Sequence, residues 1–313
     1  MLFSKGVFFY AEYNLRLFFY LLFRKINILV ANDLDTLLAN YCVSKIRKIN
    51  LVYDSHEYFT GVPELVNRKF VRSFWEKIEK SILPVIRYSY TVSELVAVEY
   101  KNRYGIKMSV VRNFPLYKQE LIPSDVSLST NDKRIVLYQG ALNAGRGIEK
   151  VIEAMRYVDN AVFIIIGDGD IREELRDLTI RKKLESKVKF LGKIPFSELA
   201  GYTIKADIGI SLEEKIGLSY YYSLPNKLFD YIRANVPVLA SPFPEVERII
   251  KKYELGILLD SNDPVRIAES IKEMLNNESK RKIWKKNLND VSKIFCWEKE
   301  EEILLNVYKR AGL

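Results

Sequence analysis

Short runs rich in Val, Ile and Tyr alternate along this chain with longer segments of helical periodicity, and no other feature restricts the fold as strongly. Such alternation predicts parallel sheets covered by helices on both faces. In a first array, INILVAN, NLVYDSH, YSYTVS and KMSVVRN read as strands. A second array begins with RIVLYQGAL and continues through AVFIIIGDG, KVKFLG, DIGISL, VPVLAS and GILLD. Ile148, Val151, Ile152 and Met155 fall at i, i+3, i+4 and i+7, so the helix after the first strand of that array buries one stripe on its sheet. The polar, Ser- and Pro-bearing stretch 116–133 reads as an interdomain linker.

The predicted organisation is therefore α/β, with a first lobe over 1–115, a linker over 116–133 and a doubly wound second lobe over 134–295. A closing helix over 296–313 has Trp297, Ile303, Leu304 and Val307 on an apolar side suited to docking on a lobe. The 313 residues suffice for two domains, and 48% hydrophobic with 28% charged content excludes disorder.

A formal charge of +9 points to an anionic membrane surface, a phosphorylated ligand or nucleic acid. No zinc-finger spacing, aromatic RNA-binding signature or dense basic arm accompanies it, which argues against nucleic acid. Cys42 and Cys296 stand far apart, without the spacing of a disulfide framework or a zinc site, and fit a reducing cytoplasm. The apolar run from Val7 to Phe23 is interrupted by Glu12, Asn14 and Arg16, which excludes a bilayer span, and no small-residue cleavage site follows it. A helix packed in the first lobe is the favoured expectation. The alternative is a helix lying on a membrane, with Phe and Leu beside Arg16, Arg24 and Lys25.

Ligands of open parallel sheets bind beyond the carboxyl ends of the strands, so the loops there come first. In QGALNAGRG, Gly140, Gly145 and Gly147 allow close backbone approach, the next helix offers unpaired N–H groups, and Arg146 adds a positive charge. The loop suits a diphosphate and equally an ordinary Gly-rich turn. In GDGD, Gly167 and Gly169 are expected to keep space open for a ligand, and Asp170 to cap the following helix. In SLPNKLFDYIRANVPVLAS, Pro225 suits a first helical turn whose amino end receives anions. Lys227 and Asp230 lie three apart on one helical face, fit for a phosphate and ribose hydroxyls, or for a surface ion pair. The single histidine, His56, follows an apolar strand between Asp54 and Glu57. In isolation a local hydrogen bond is its better reading, and its strand-end position adds weight to a catalytic one.

In this order and spacing, YQGAL with RG before a helix, IIGDGD, KVKFLGKIP, ADIGISL, PNKLFDYIRANVPVLAS and GILL resemble the retaining family 4 glycosyltransferases of glycosyl transferases group 1. ANDLDTLLA, VYDSHEYF, PELVNRKFVRSFWEKIEK and TVSELVAVEY resemble the later half of that family's N-terminal lobe, and FCWEKEEEILLNVY its last helix, which crosses back onto that lobe. The resemblance implies a GT-B fold of two Rossmann-like lobes facing a cleft. It places Arg146 and Lys227 on the donor diphosphate, with the backbone of Leu224, Pro225 and Asn226 and the glycines 140, 147, 167 and 169 around the nucleotide. Asp230 falls on the ribose and His56 opposite the donor sugar, with no cofactor or metal required.

Departures from the family pattern are Tyr222 at the first Glu of its Glu-x7-Glu signature, Asp230 at the second, and Ala141 at a commonly basic position. Only about 25 residues precede INILVAND, so the N-terminal lobe is expected to be shortened. The implied activity is retaining transfer of a hexose or related sugar from a UDP- or GDP-sugar to a glycan or lipid-linked acceptor in cell-surface polysaccharide synthesis. The expected place is the cytoplasm, peripherally at the inner membrane face. Two alternatives are a truncated, non-catalytic homologue that binds nucleotide sugar and, ranked last, a nucleotide-sugar epimerase.

Overall fold

The computed structural model describes residues 2–3, 6–117 and 132–313, so most of the expected linker lies outside the described residues. Two compact units result, and the chain visits each more than once. Unit 1 comprises Met1–Asn113, Gly217–Ser223 and Glu298–Leu313; unit 2 comprises Phe114–Ile216 and Leu224–Trp297. The excursion 217–223 into unit 1 departs from the uninterrupted 134–295 lobe expected from the sequence.

With elements numbered along the chain, unit 1 carries β1 (Ile28–Asn32), β2 (Asn50–Ser55), β3 (Tyr88–Thr91) and β4 (Ser109–Val110), all parallel and in the order β1-β2-β3-β4. Its helices are α1 (Gly6–Leu22), α2 (Leu34–Arg47), α3 (Pro63–Val66), α4 (Lys69–Ile82), α5 (Glu94–Tyr104), α9 (Leu218–Tyr222) and α14 (Trp297–Arg310). Helix α5 begins where the Ser93 side chain accepts the Val96 N–H and ends at left-handed Gly105. The core joins Leu29, Ala31 and Leu51 of the sheet to Leu34, Leu37, Trp75 and Tyr100 of the helices. Helix α14 is tied to this unit where the Arg112 N–H and guanidinium both donate to the Glu300 carboxylate.

Helix α1 only half meets expectation. Tyr10, Phe18 and Leu21 pack on the core, and the Asn14 amide donates to Asp35 O and accepts from Ala39 N–H. Its other side leaves Phe8, Leu15 and Phe19 exposed, as are Val7 near its start and Phe23 just past its end, because apolar residues on all sides of a helix cannot all be covered by one lobe.

In unit 2, β5 (Arg134–Gln139), β6 (Ala161–Ile166), β7 (Val188–Gly192), β8 (Ile208–Ser211), β9 (Val238–Ala240) and β10 (Gly256–Leu258) form one parallel sheet in the order β10-β9-β8-β5-β6-β7. The covering helices are α6 (Ile148–Ala154), α7 (Arg172–Arg181), α8 (Phe196–Thr203), α10 (Asn226–Arg233), α11 (Pro244–Tyr253), α12 (Pro264–Asn276) and α13 (Glu278–Ser292). All six residues of β6 are buried, as a central strand covered on both faces requires. Burying a side chain such as Phe163 contributes about 1.5 to 3 kcal/mol. The strand order is that of a Rossmann fold, and it reverses direction between β5 and β8. At such a switch point neighbouring crossovers run to opposite sides and open a crevice at the strand ends.

Candidate functional site

The loop leaving β5 is shaped by glycine: Gly140, Gly145 and Gly147 have φ of 135°, 78° and 70°, which side-chain-bearing residues rarely adopt. Gly147 also touches the end of β8, where a Cβ would sit 2.1 Å from Leu212 O. The loop is stitched there by the Glu214 N–H donating to Gly145 O at 2.8 Å. Its other flank interlocks with the loop leaving β6. Gly140 N–H donates to Ile166 O, Leu142 N–H to Asp168 O, and Ile171 N–H to Leu142 O.

This interlocking corrects two expectations. A Cβ on Gly167 would lie 1.9 Å from Gly140 O, and one on Gly169 would lie 2.6 Å from Leu142 O. The room a side chain would need at these glycines is filled by the neighbouring loop, so they let the two loops pack against each other. Nor does Asp170 cap α7, whose N-cap is Ile171 without a side-chain bond. The neighbouring Asp168 carboxylate accepts the Gly169 N–H and lies 3.5 Å from the Arg172 guanidinium.

Helix α10 starts at Asn226, with Pro225 as N-cap in extended conformation, so its first-turn N–H groups point out of the strand ends. Leu224 before it is buried, Pro225 half-buried and Asn226 exposed. Lys227 folds inward: its Nζ donates to Glu213 Oε1 at 2.8 Å and lies 4.1 Å from the centre of the Tyr138 ring. Arg146 Nη1 approaches the same Glu213 oxygen at 3.9 Å. Arg146 and Lys227, far apart in sequence, thus converge on one carboxylate at the β5–β8 switch point.

The sequence reading had no role for Glu213. It stands at the carboxyl end of β8, among the strand ends where ligands of such sheets bind, but a buried acid has the wrong sign for a phosphate site. Its other oxygen accepts the Ser211 hydroxyl at 2.8 Å. Burial alone would push this carboxyl up; the charge and hydrogen bond of Lys227, the Ser211 hydroxyl and Arg146 together hold it below the ordinary value.

Asp230 lies one turn further along α10 and pairs with Gln139 instead of Lys227. The Gln139 amide donates to Asp230 Oδ2 at 2.9 Å and accepts the Thr203 hydroxyl at 2.8 Å. This chain borders a cavity of about 190 Å³ whose walls include Phe196, Arg233 and Trp297. Burial pushes the Asp230 carboxyl up to about 6, against the opposing effects of Gln139 and Arg233.

His56 belongs to unit 1, just beyond β2. Its Nε2 lies 3.0 Å from Asp54 Oδ2, an oxygen that also accepts the Tyr90 hydroxyl at 2.8 Å. Its backbone N–H donates to Asp33 Oδ1 at 2.9 Å. The hydrogen bond to Asp54 outweighs partial burial and raises the imidazole to about 9, with Asp33 and Glu57 adding in the same direction. Asp33 itself holds φ 57° and ψ 175°, a conformation nearly confined to glycine. The partners Asp33 and Tyr90 were missed, since neither is near His56 in sequence. Glu57 accepts a hydrogen bond from Ser219, so α9 is fastened to the loop that carries the histidine.

A Rossmann crevice with two cations at a helix N-terminus is suited to a nucleoside diphosphate, and comparison with known proteins agrees. The sequence model of glycosyl transferases group 1 matches residues 123–290, more than half of the chain. The chain belongs to this family. It is 23% identical over 280 residues to the uncharacterized glycosyltransferase MJ1178 of Methanocaldococcus jannaschii, covering 87% of this chain and 74% of that protein. A second relative is the GalNAc-alpha-(1->4)-GalNAc-alpha-(1->3)-diNAcBac-PP-undecaprenol alpha-1,4-N-acetyl-D-galactosaminyltransferase of Campylobacter jejuni. It is 26% identical over 193 residues, covering 58% of this chain and 49% of that enzyme. Across the first M. jannaschii relatives the chain spans from 46% to 74% of their length. The structure of Anabaena HepE in complex with UDP-glucose superposes with a TM-score of 0.76 at 16% identity, covering 96% of this chain and 82% of that one. The fold of this group 1 chain is accordingly the GT-B type, with two Rossmann-like lobes.

Proposed function

We propose that this glycosyltransferase moves a hexose or related sugar from a UDP- or GDP-sugar to a glycan or lipid-linked acceptor in cell-surface polysaccharide synthesis, with retention at the anomeric carbon. The convergence of Arg146 and Lys227 at the N-terminus of α10 is the observation that carries the reading. Departure of a nucleoside diphosphate leaves negative charge on the leaving oxygens, and fixed cations with a helix dipole stabilise that charge without reorganising. Asp230, opening on the neighbouring cavity, is assigned to the ribose hydroxyls. The family resemblance sets His56 opposite the donor sugar, and its raised pKa supports a positively charged hydrogen-bond donor there. Retention and family 4 membership rest on the ordered motifs; no cofactor or metal is assigned.

The C. jejuni relative, named for an undecaprenol-linked acceptor, supports a lipid-linked substrate here. Among the described residues no helix is long and apolar enough to cross a membrane. The exposed apolar face of α1, with Arg16, Arg24 and Lys25 nearby, supports peripheral attachment to an anionic cytoplasmic surface.

The test is nucleotide binding and turnover by the full chain. Isothermal titration with UDP and GDP should show binding of one of them. Incubation of the matching nucleotide sugar with membrane lipid extract should release nucleoside diphosphate and label a lipid fraction. Absence of nucleotide binding would sink the donor-site assignment, and binding without release would leave a nucleotide-sugar-binding homologue in its place.

A further inference from the structure

The donor-site reading uses Arg146 and Lys227 but leaves the group that holds them unexplained. Glu213 is almost wholly buried, and both of its oxygens are committed, one to Lys227 and Arg146 and the other to Ser211. Its backbone oxygen accepts the Ser241 hydroxyl at 2.8 Å, and its neighbour Glu214 ties the strand end to Gly145 of the donor loop. A carboxylate so fixed cannot swing away to make room for an anion. Any phosphate that approaches the two cations therefore meets a pair already half neutralised.

We propose that Glu213 is a positioning residue of the diphosphate site, a built-in counter-anion that aims Lys227 and Arg146 and keeps the nucleoside diphosphate weakly enough held to leave. The inference rests on the assignment of Arg146 and Lys227 to the diphosphate. Glu213 holds the Lys227 ammonium at 2.8 Å and so fixes its position between turnovers. With the carboxylate in place the cluster of three groups carries one net positive charge in place of two. Coulomb attraction at such separations is large in a partly buried site, so that difference weighs directly on the affinity for a dianionic product.

This role predicts an unusual sign. Loss of an ordinary structural residue weakens ligand binding, whereas Glu213→Gln, which keeps the shape and an acceptor for Lys227, should tighten binding of the free nucleoside diphosphate by about tenfold. In steady state the same variant should lower kcat and KM together as product release slows. Glu213→Ala removes the same negative charge with a smaller side chain, should move affinity in the same direction and covers the case in which Glu213→Gln does not fold.

The experiment is titration of UDP and GDP into the full-length wild type, Glu213→Gln, Glu213→Ala, Lys227→Met and Arg146→Met. Tighter binding in the first two variants with weaker binding in the last two supports the inference. Weaker or unchanged binding in Glu213→Gln or, should that variant not fold, in Glu213→Ala overturns it, provided Lys227→Met and Arg146→Met lose affinity. Unchanged affinity in those two removes the donor-site reading on which it rests.

Discussion

His56 Nε2 lies 3.0 Å from Asp54 Oδ2, and this contact fixes the charge of the imidazole. Raised to about 9, the ring is an imidazolium at neutral pH and serves as a donor of hydrogen bonds and charge, with no free lone pair for proton abstraction. A folded-state pKa above the ordinary 6.5 means that its contribution to stability is complete below about pH 6.5 and lost as pH rises through about 9. His56→Ala should lose turnover and keep nucleotide affinity. Asp54→Asn should bring the ring back toward 6.5 and shift the alkaline limb of the kcat profile to lower pH. Titration of the single histidine by NMR checks both, and a ring that already titrates near 6.5 in the wild type contradicts them.

The two glycine-dependent contacts at the donor loop should tolerate no side chain. Gly147→Ala would place a Cβ 2.1 Å from Leu212 O at φ 70°, and Gly167→Ala one 1.9 Å from Gly140 O at φ 141°. Backbone strain of this kind costs about 1 to 3 kcal/mol before the clash is counted. Both variants should show a lowered Tm and lost nucleotide binding. Gly192→Ala is the control: its φ of 71° brings similar strain, but a Cβ there meets nothing within 4 Å. A Gly192→Ala penalty as large as the other two would mean that the backbone conformation alone is responsible.

Lys227 and Arg146 should separate in their effects. Each charge-assisted contact to phosphate contributes roughly 1.5 to 3 kcal/mol, so either alanine variant should weaken nucleotide binding by tenfold or more. Lys227→Ala also strips Glu213 of its closer cationic partner, and breaking such a buried pair costs about 3 to 5 kcal/mol. Its Tm should fall, whereas Arg146→Ala, with a more accessible side chain and a longer contact, should leave Tm nearly unchanged. Thermal melts beside titrations decide this, and equal Tm losses would show that the two cations are structurally equivalent.

Much of this was legible in the sequence, because strands and strand-end loops are local. The ten strands among the described residues form within the runs predicted as strands, and both loops that supply Arg146 and Lys227 were readable from glycine, proline and charge. What escaped depends on contacts between distant segments. Gly167 looked like room for a ligand, since nothing local says that Gly140 O fills that room. Glu213 gave no signal because its cationic partners lie 14 and 67 positions away along the chain. The excursion 217–223 is similarly hidden: Leu218 and Tyr222 pack on the unit 1 core although both flanks of the segment belong to unit 2.

Asp230 offers a test in which stability and function should move in opposite directions. Its carboxyl is raised to about 6 from an ordinary 3.8, so the folded chain binds that proton more tightly than the unfolded chain. By linkage, its contribution to stability falls as pH rises from about 4 to about 6, and above that window an ion is held in a poorly solvated position. Asparagine keeps the shape and can still accept from Gln139 while removing that ion. Asp230→Asn should therefore raise Tm at pH 7.5 and flatten its dependence between pH 4 and 6. The ribose hydroxyls would lose an ionised acceptor, and a charge-assisted bond is roughly twice as strong as a neutral one, so nucleotide affinity should fall. In the wild type that affinity should rise with pH through about 6 as the carboxyl ionises. Melting curves across pH and titrations at pH 5.5 and 7.5 measure both arms. A variant less stable than wild type at pH 7.5 would show that the Asp230 charge supports the fold; unchanged nucleotide affinity would remove this residue from the donor site.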